Sequence, residues 1–297
     1  MLRLKNCSNE AGAYGLLTPL QPYPALLLRS KNQRVLVVAD LHIGWEVALA
    51  QEGVYIPSQT PKILTKLQEI VKIAKPTRLI FLGDVKHTVA KVELREWLDI
   101  PNLFETLERS VSEIQVVPGN HDGNLEPLLP ESVKLLPATG VRIGDIGLFH
   151  GHAWPAPELL GCRTLVMGHI HPTVAFRDPF GYRMTAQVWV KAQCSKTRLT
   201  ESVLQALKIK ETKNPIGTLK TRFNVTPKTS QLLILPCFNE FLGGRAVNRT
   251  RIDRRGGRYR GFVGPILRSR GVYSDEAEIY LLDRTFLGTV AQLKTLG

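Results

Sequence analysis

Residues 34–46 read RVLVVADLHIGWE. The run Arg34–Ala39 is short, rich in β-branched residues and apolar after its first position, and it stops at Asp40-Leu41-His42. Such a run predicts a strand buried on both faces, with Asp40 at its carboxyl end. The same grammar returns four times. Arg78–Leu82 (RLIFL) runs into Gly83-Asp84, and Glu113–Val117 (EIQVV) runs into Pro118-Gly119-Asn120-His121-Asp122. Ile146–Phe149 runs into His150-Gly151-His152, and Thr164–Met167 into Gly168-His169-Ile170-His171. Between the first two runs, Pro61–Ala74 places Ile63, Leu64, Leu67, Ile70, Val71 and Ala74 on one face, with Pro61 in the first turn, which predicts an amphipathic helix. Val92–Val111 reads as a second helical stretch that Pro101 could break. Strands alternating with helices predict an α/β layered fold with a largely parallel sheet, and in such sheets ligands bind outside the carboxyl ends of the strands.

The five turns carry carboxylate, imidazole and amide groups. All seven histidines lie between His42 and His171. A lone histidine is ordinarily a satisfied core or surface residue; seven so confined, two pairs of them as H-x-H, point to metal ligation. The donors suit manganese, iron or zinc and disfavour thiolate metals. They exceed what one tetrahedral zinc needs, and two metals sharing a bridging carboxylate would use them all, the usual arrangement for attack on phosphate esters. Residues i and i+2 at a strand end point to one side, so Asp40 with His42, and His169 with His171, can act together.

Length and composition bound the rest. The chain has 297 residues, 43% hydrophobic and 22% charged, enough for a large core and unlike a disordered, collagen-like or coiled-coil chain. No apolar stretch approaches the ~20 residues of a membrane span. The opening MLRLKNCSNEAG lacks the apolar core of a signal peptide, which predicts a cytoplasmic protein without a membrane partner. Cys7, Cys162, Cys194 and Cys237 show no C-x-x-C spacing, and the last three read as small apolar fillers. The net charge is +13, and residues 177–297 carry all of it, with 22 Lys+Arg against 9 Asp+Glu. That asymmetry predicts a polyanionic partner; a solvated basic surface is the bland alternative. Within Arg245–Arg270 stand nine arginines and one acid, Asp253. Its centre, Arg254-Arg255-Gly256-Gly257-Arg258-Tyr259-Arg260-Gly261-Phe262, interleaves guanidinium groups with aromatic rings, a pattern that can grip phosphates and stack on bases. Arg254, Arg255, Arg258, Tyr259 and Arg260 are the candidate nucleic-acid contacts.

The ordered series DLH, GD, GNHD, HGH, GHIH resembles the motif set of the calcineurin-like metallophosphoesterases, over about residues 34–171. DLHIGWE followed by GVYIPSQT, and the later LPCFNEFLGGRAVN, also look like archaeal SbcD-related and bacterial DNA-ligase-associated phosphoesterases. The resemblance implies a four-layer α-β-β-α sandwich. By charge and composition the chain divides into a core over 1–248, with a basic insertion near 191–229, and an Arg-rich segment with a closing strand over 249–297; no linker cuts it cleanly, so the basic part reads as an elaboration of the same domain or a loosely ordered arm. The resemblance implies that Asp40, His42 and His171 hold one divalent metal, that Asn120, His150 and His169 hold a second, and that Asp84 bridges them, manganese being the first choice and iron or zinc the others. His121 would protonate the leaving oxygen or stabilise the transition state, and Asp122 would orient His121. At His150-Gly151-His152 the resemblance favours His150 as ligand, leaving His152 to line the phosphate pocket; the sequence allows the swap. His87 is a surface or helix-start histidine on the bland reading and a substrate contact on the other. The expected activity is metal-dependent hydrolysis of a nucleic-acid phosphodiester. The alternatives are a phosphomonoester or cyclic-nucleotide substrate, and a non-catalytic scaffold, although every expected ligand position carries a competent residue.

Overall fold

The computed structural model describes residues 16–29, 33–177, 180–210, 213–252, 258–260 and 262–294. A hairpin of β1 (Leu16–Leu20) and β2 (Ala25–Arg29) leads into β3 (Arg34–Val38). Helices α1 (Trp45–Gln51) and α2 (Thr60–Ala74), strand β4 (Arg78–Leu82), helix α3 (Leu94–Glu108), strand β5 (Glu113–Val117) and the short β6 (Lys134–Leu135) follow. These six strands form one sheet in sequence order, parallel from β3 onward.

The chain then crosses to a second sheet. Its strands are β7 (Val141–Ile143), β8 (Ile146–Leu148), β9 (Thr164–Met167), β10 (Pro172–Arg177) and β11 (Arg183–Gln193). After helices α4 (Lys196–Ala206) and α5 (Pro215–Phe223) come β12 (Gln231–Ile234) and β13 (Arg245–Ala246). A separate hairpin pairs β14 (Thr250–Ile252) with β15 (Arg258–Arg260). Helix α6 (Pro265–Arg268), strands β16 (Glu278–Leu281) and β17 (Phe286–Thr289) and helix α7 (Val290–Leu293) complete the described chain. The order in the second sheet is β13-β10-β11-β12-β9-β8-β7, with β16 also on β11 and β17 on β16.

Parallel pairing holds where the ligand-bearing turns need it, at β3-β4-β5 and β8-β9-β12. The hairpins β1-β2, β7-β8 and β10-β11, joined by short connections, are antiparallel, so both sheets are mixed rather than largely parallel. The predicted closing strand, β16, is followed by β17 in a hairpin. Helix α3 runs unbroken through Pro101. Trp97 is exposed, so water can serve the carbonyl that Pro101 cannot.

Alternation along the strands sorts the core into three layers. Leu36, Val38, Leu79 and Phe81 face α2 and α3, meeting Ile63, Leu67, Ile70, Leu103 and Phe104. The neighbours Val35, Val37, Ile80 and Leu82 face the other sheet, meeting Val166, Trp189 and Leu233. On its far side that sheet presents Leu165, Met167, Val188, Val190, Leu232 and Ile234 to Leu199, Val203 and Leu204 of α4 and Leu219 of α5. Three cores between four layers give an α-β-β-α sandwich. The basic stretch after β11 supplies its outer helical layer, with apolar faces inward. Among the described residues no helix is long and apolar enough to cross a membrane.

Phe81 is fully buried and meets Phe104 edge-on, with ring centroids 5.1 Å apart. Phe81→Ala should cost about 3–5 kcal/mol of stability, read from the midpoint of denaturant unfolding, because the close-packed layer collapses only partly into the void.

Candidate metal centre

Both sheets bring strand ends to one rim. The chain after β3 supplies Asp40 and His42; after β4, Asp84; after β5, Asn120 and His121; after β8, His150 and His152; after β9, His169 and His171. Backbone bonds carry the β3–β4 pairing past the strands: the amide of Asp40 donates to the Gly83 carbonyl (3.0 Å), and that of His42 to the Asp84 carbonyl (2.8 Å). Asp40, His42, Asp84, His169 and His171 all have left-handed backbone, with φ between 45° and 73°. Each such residue costs about 1–2 kcal/mol, and the sharp turns converge five side chains that an extended strand end would splay.

Two groups of donors result, and both contain Asp84. Asp40, His42, Asp84 and His171 bring ligand atoms within 4.8 Å of one another, as do Asp84, His150 and His169. Asp84 Oδ2 lies 3.5 Å from His42 Nε2 and 3.3 Å from His150 Nε2. Its Oδ1 accepts the His121 amide at 2.9 Å. His42 Nε2 and His171 Nε2 are 3.2 Å apart, and His171 Nε2 is 3.5 Å from Asp40 Oδ1. Asp40 also accepts the His169 amide on both oxygens, at 3.2 and 3.1 Å. His150, rather than His152, belongs to the second group.

The residues fit a pair of metals. His150 Nδ1 donates to the Leu82 carbonyl at 2.8 Å, so Nε2 is the nitrogen that would take a metal in exchange for its proton. That Nε2 and His169 Nδ1 are buried without a hydrogen-bond partner, as groups awaiting a ligand would be. The donors are oxygen and imidazole nitrogen, suited to divalent first-row metals. A third cluster joins His42, His87 and His121, with His87 Nδ1 3.3 Å from His42 Nδ1.

Charges in so dry a site perturb one another. Burial pushes the His42 pKa well below the usual imidazole range, despite Asp84. Burial likewise lowers His169 to about 4, with His150 adding to it. At His150 burial opposes protonation, but Asp84 and then Asp40 outweigh it, and the pKa rises to about 9. Burial pulls Asp84 up, yet His150 and His42 hold it well below the ordinary carboxylate range. His171 is raised in spite of burial by Asp40 and by Cys237.

The glycines before the ligands are there because nothing larger fits. A Cβ on Gly119 would stand 2.1 Å from Asp84 Oδ1, and one on Gly83 would stand 2.2 Å from His150 Nδ1. The turns pack on their neighbours' ligands.

The Asp122 carboxylate bonds backbone amides rather than the His121 ring. Its Oδ1 accepts the amides of Val85 (2.8 Å) and Lys86 (3.2 Å), and its Oδ2 accepts that of Gly119 (2.8 Å), so it clamps the Asp84 loop to the Gly119 turn. Burial and the nearby Asp84 push its pKa up to about 6. The His87 carbonyl accepts the His121 Nδ1 proton instead. His87 is half-buried against His42 and His121 rather than a plain surface or helix-start residue, and His152 lines the cleft above the centre, its Nδ1 without a partner. Cys237 is more than a filler: its thiol donates to the Asp40 carbonyl at 3.0 Å and stands close enough to His171 to raise its pKa. Phe262 packs into the outer core and is not free to stack on a base. Arg254 and Arg255 lie outside the described residues, as do the side chains of Arg258, Tyr259 and Arg260, whose backbone forms β15.

Two buried charges were missed altogether. Glu96, fully buried in α3, accepts the amides of His87 (3.1 Å), Thr88 (2.8 Å) and Glu93 (2.9 Å). Lys86, also fully buried, donates to the carbonyls of Thr88 and Lys91. Together they pin the loop whose His87 carbonyl holds His121. A Glu three residues after Glu93, at a helix start, was the only hint.

Above the donors an open cleft of about 880 Å³ is floored by His42, Asp84, His121, His169 and His171, with Asn120 exposed on its wall. Arg245 and Arg268 also line it.

The family model for calcineurin-like phosphoesterases matches residues 33–194, which hold all five ligand turns. The chain belongs to that family and is a metal-dependent phosphoester hydrolase. Among solved structures, the nuclease MPE of Pseudomonas putida is similar at 17% identity, over 91% of this chain and 98% of that one, with a TM-score of 0.46. Yfce, a phosphoesterase from E. coli, is similar at 20% identity, over 48% of this chain and 73% of that one, with a TM-score of 0.32. Comparison with curated proteins gives no match.

Proposed function

We propose that the chain is a two-metal phosphodiesterase acting on nucleic acid. The observation that carries the chemistry is the pair of donor groups that share Asp84. On this reading Asp40, His42 and His171 would hold one ion, Asn120, His150 and His169 the other, and Asp84 would serve both; manganese, the first choice on the resemblance, and iron or zinc are all compatible with these oxygen and imidazole donors. When bound, such a pair would supply an activated water and neutralise the phosphate oxygens.

The chain's own groups do the rest. His121, its Nδ1 proton engaged by the His87 carbonyl, presents Nε2 to the cleft; a proton there serves the leaving oxygen or a phosphate oxygen. Asp122 fixes the two turns that carry Asp84 and His121. His152 lines the phosphate pocket.

The nucleic-acid substrate is supported by the two arginines beside the histidines, Arg245 and Arg268, and by the positive excess of residues 177–297. Guanidinium groups next to a phosphate site hold the flanking phosphates of a chain. Arg254, Arg255, Arg258, Tyr259 and Arg260 would extend that contact. The buried free thiols of Cys162, Cys194 and Cys237 suit a reducing, cytoplasmic setting.

Labelled single- and double-stranded DNA and RNA, with an aryl phosphodiester beside them, test the reading in added manganese. Cleavage of a nucleic acid is expected. Hydrolysis of the aryl ester alone would keep the chemistry and remove the substrate.

Metal uptake should also depend on pH in a definite direction. His150, at about 9, holds a proton in the metal-free protein that a ligating Nε2 cannot keep. Its folded pKa lies above the unfolded value, so the stabilisation the proton gives is complete below about 6.5 and is lost as pH rises through about 9. Metal affinity should therefore rise from about pH 6.5 to 9, with proton release on binding. Calorimetry in buffers of different ionisation enthalpy reads that release; none at pH 7 would contradict the assignment of His150.

A further inference from the structure

We infer that the groove between α4 and residues 265–270 is a second subsite, on which the nucleic-acid strand lies beyond its scissile phosphate. The inference rests on the nucleic-acid reading above. The groove encloses about 790 Å³ and runs on from the metal cleft, since Pro265 and Arg268 line both. Arg198 of α4, Arg268 and Arg270 line it, all exposed, with Glu201 as its one acid.

None of these arginines forms an ion pair among the described residues. Some basic side chains elsewhere are paired, as in Arg78–Glu113 (2.7 Å), Lys191–Glu278 (2.8 Å) and Lys294–Asp275 (2.7 Å). Unpaired guanidinium groups along a concave surface focus a positive potential there. Half-buried Trp154 on the same wall adds an aromatic surface, the second element of a strand-binding track. A small phosphoester can be bound within the metal cleft alone. A strand, whose charges repeat along its length, reaches both.

The test compares the full-length protein in manganese with its R198A/R270A and Glu201→Gln variants, on a dinucleotide and on a single strand of about 12 nucleotides. In the wild type KM should fall with length. In R198A/R270A the long strand should lose that advantage, its KM rising about tenfold, and the slope of log KM against log salt should shrink by about 1.4 for two lost phosphate contacts. Glu201→Gln, which removes the groove's acid, should lower the long-strand KM, a gain that misfolding cannot imitate. Length dependence and salt slope unchanged in both variants would overturn the groove and leave the nucleic-acid reading standing. A wild type that hydrolyses an aryl diester and cuts no nucleic acid would overturn the reading, and the groove with it.

Discussion

Asp84→Asn is expected to lower phosphodiester turnover by roughly 10³-fold, beyond the 10–100-fold that loss of an outer partner of a metal ligand typically costs. Among the described residues Asp84 is the one carboxylate common to both donor groups, with Oδ2 3.5 Å from His42 Nε2 and 3.3 Å from His150 Nε2. Asparagine keeps the shape, and its carbonyl can still accept the His121 amide that Oδ1 accepts at 2.9 Å. It loses the negative charge that two adjacent cations require. Metal content should fall from two equivalents to one or fewer, while circular dichroism stays that of the wild type. Full metal content and near-normal turnover would show that the ions, if two bind, do not share this residue.

The second large effect separates chemistry from metal binding. His121→Ala should reduce kcat by roughly 10²–10⁴-fold and leave two metals bound. His121 belongs to neither group that contains Asp84, and its ring is held from behind by the His87 carbonyl. Turnover and metal content measured on one preparation check this. The loss should also shrink for an ester with a good leaving group, such as an aryl diester, because that oxygen needs no proton to depart. Equal losses for good and poor leaving groups would assign His121 to binding the phosphate oxygens instead. Loss of metal together with turnover would assign it to the centre itself, where the His42–His87–His121 cluster already brings it close.

Much of this centre was legible because its signals are local. A buried strand of four or five apolar residues must stop where the chain leaves the sheet. A polar triplet at that point is either a turn or a ligand set, and five in a row leave little room for turns alone. Residues whose partners lie far away in sequence escaped. Asp122 stands beside His121, and adjacency suggested that one orients the other. Its carboxylate instead reaches back 36 and 37 residues, to the amides of Lys86 and Val85. Glu96 and Lys86 look like ordinary surface charges in sequence and are fully buried, because only the fold reveals the unpaired amides and carbonyls they satisfy. Cys237 reads as filler until β12 is laid parallel to β9, which carries the chain after it under Asp40 and His171. The β1–β2 hairpin went unread although its turn, Gln21-Pro22-Tyr23-Pro24, carries two prolines, and the antiparallel pairs of both sheets depend on connections that periodicity does not encode.

The left-handed backbone at Asp40, His42, Asp84, His169 and His171 could not have been read either. None is glycine, and nothing in their neighbours demands a positive φ. The strain is sustained because sheet pairing continues into the turns, through the Asp40, His42 and Ile43 amides on the Gly83, Asp84 and Val85 carbonyls. Two parallel sheet ends thus hold ligands in a geometry no isolated turn would keep.

The central claim is that two metals flank Asp84. Anomalous diffraction from crystals grown with manganese tests it most directly. The account predicts two peaks about 3.5–4 Å apart, one among Asp40, His42 and His171 and one against His150 and His169, with Asp84 between them. A single peak, or a peak held by His42, His87 and His121 instead, would contradict it.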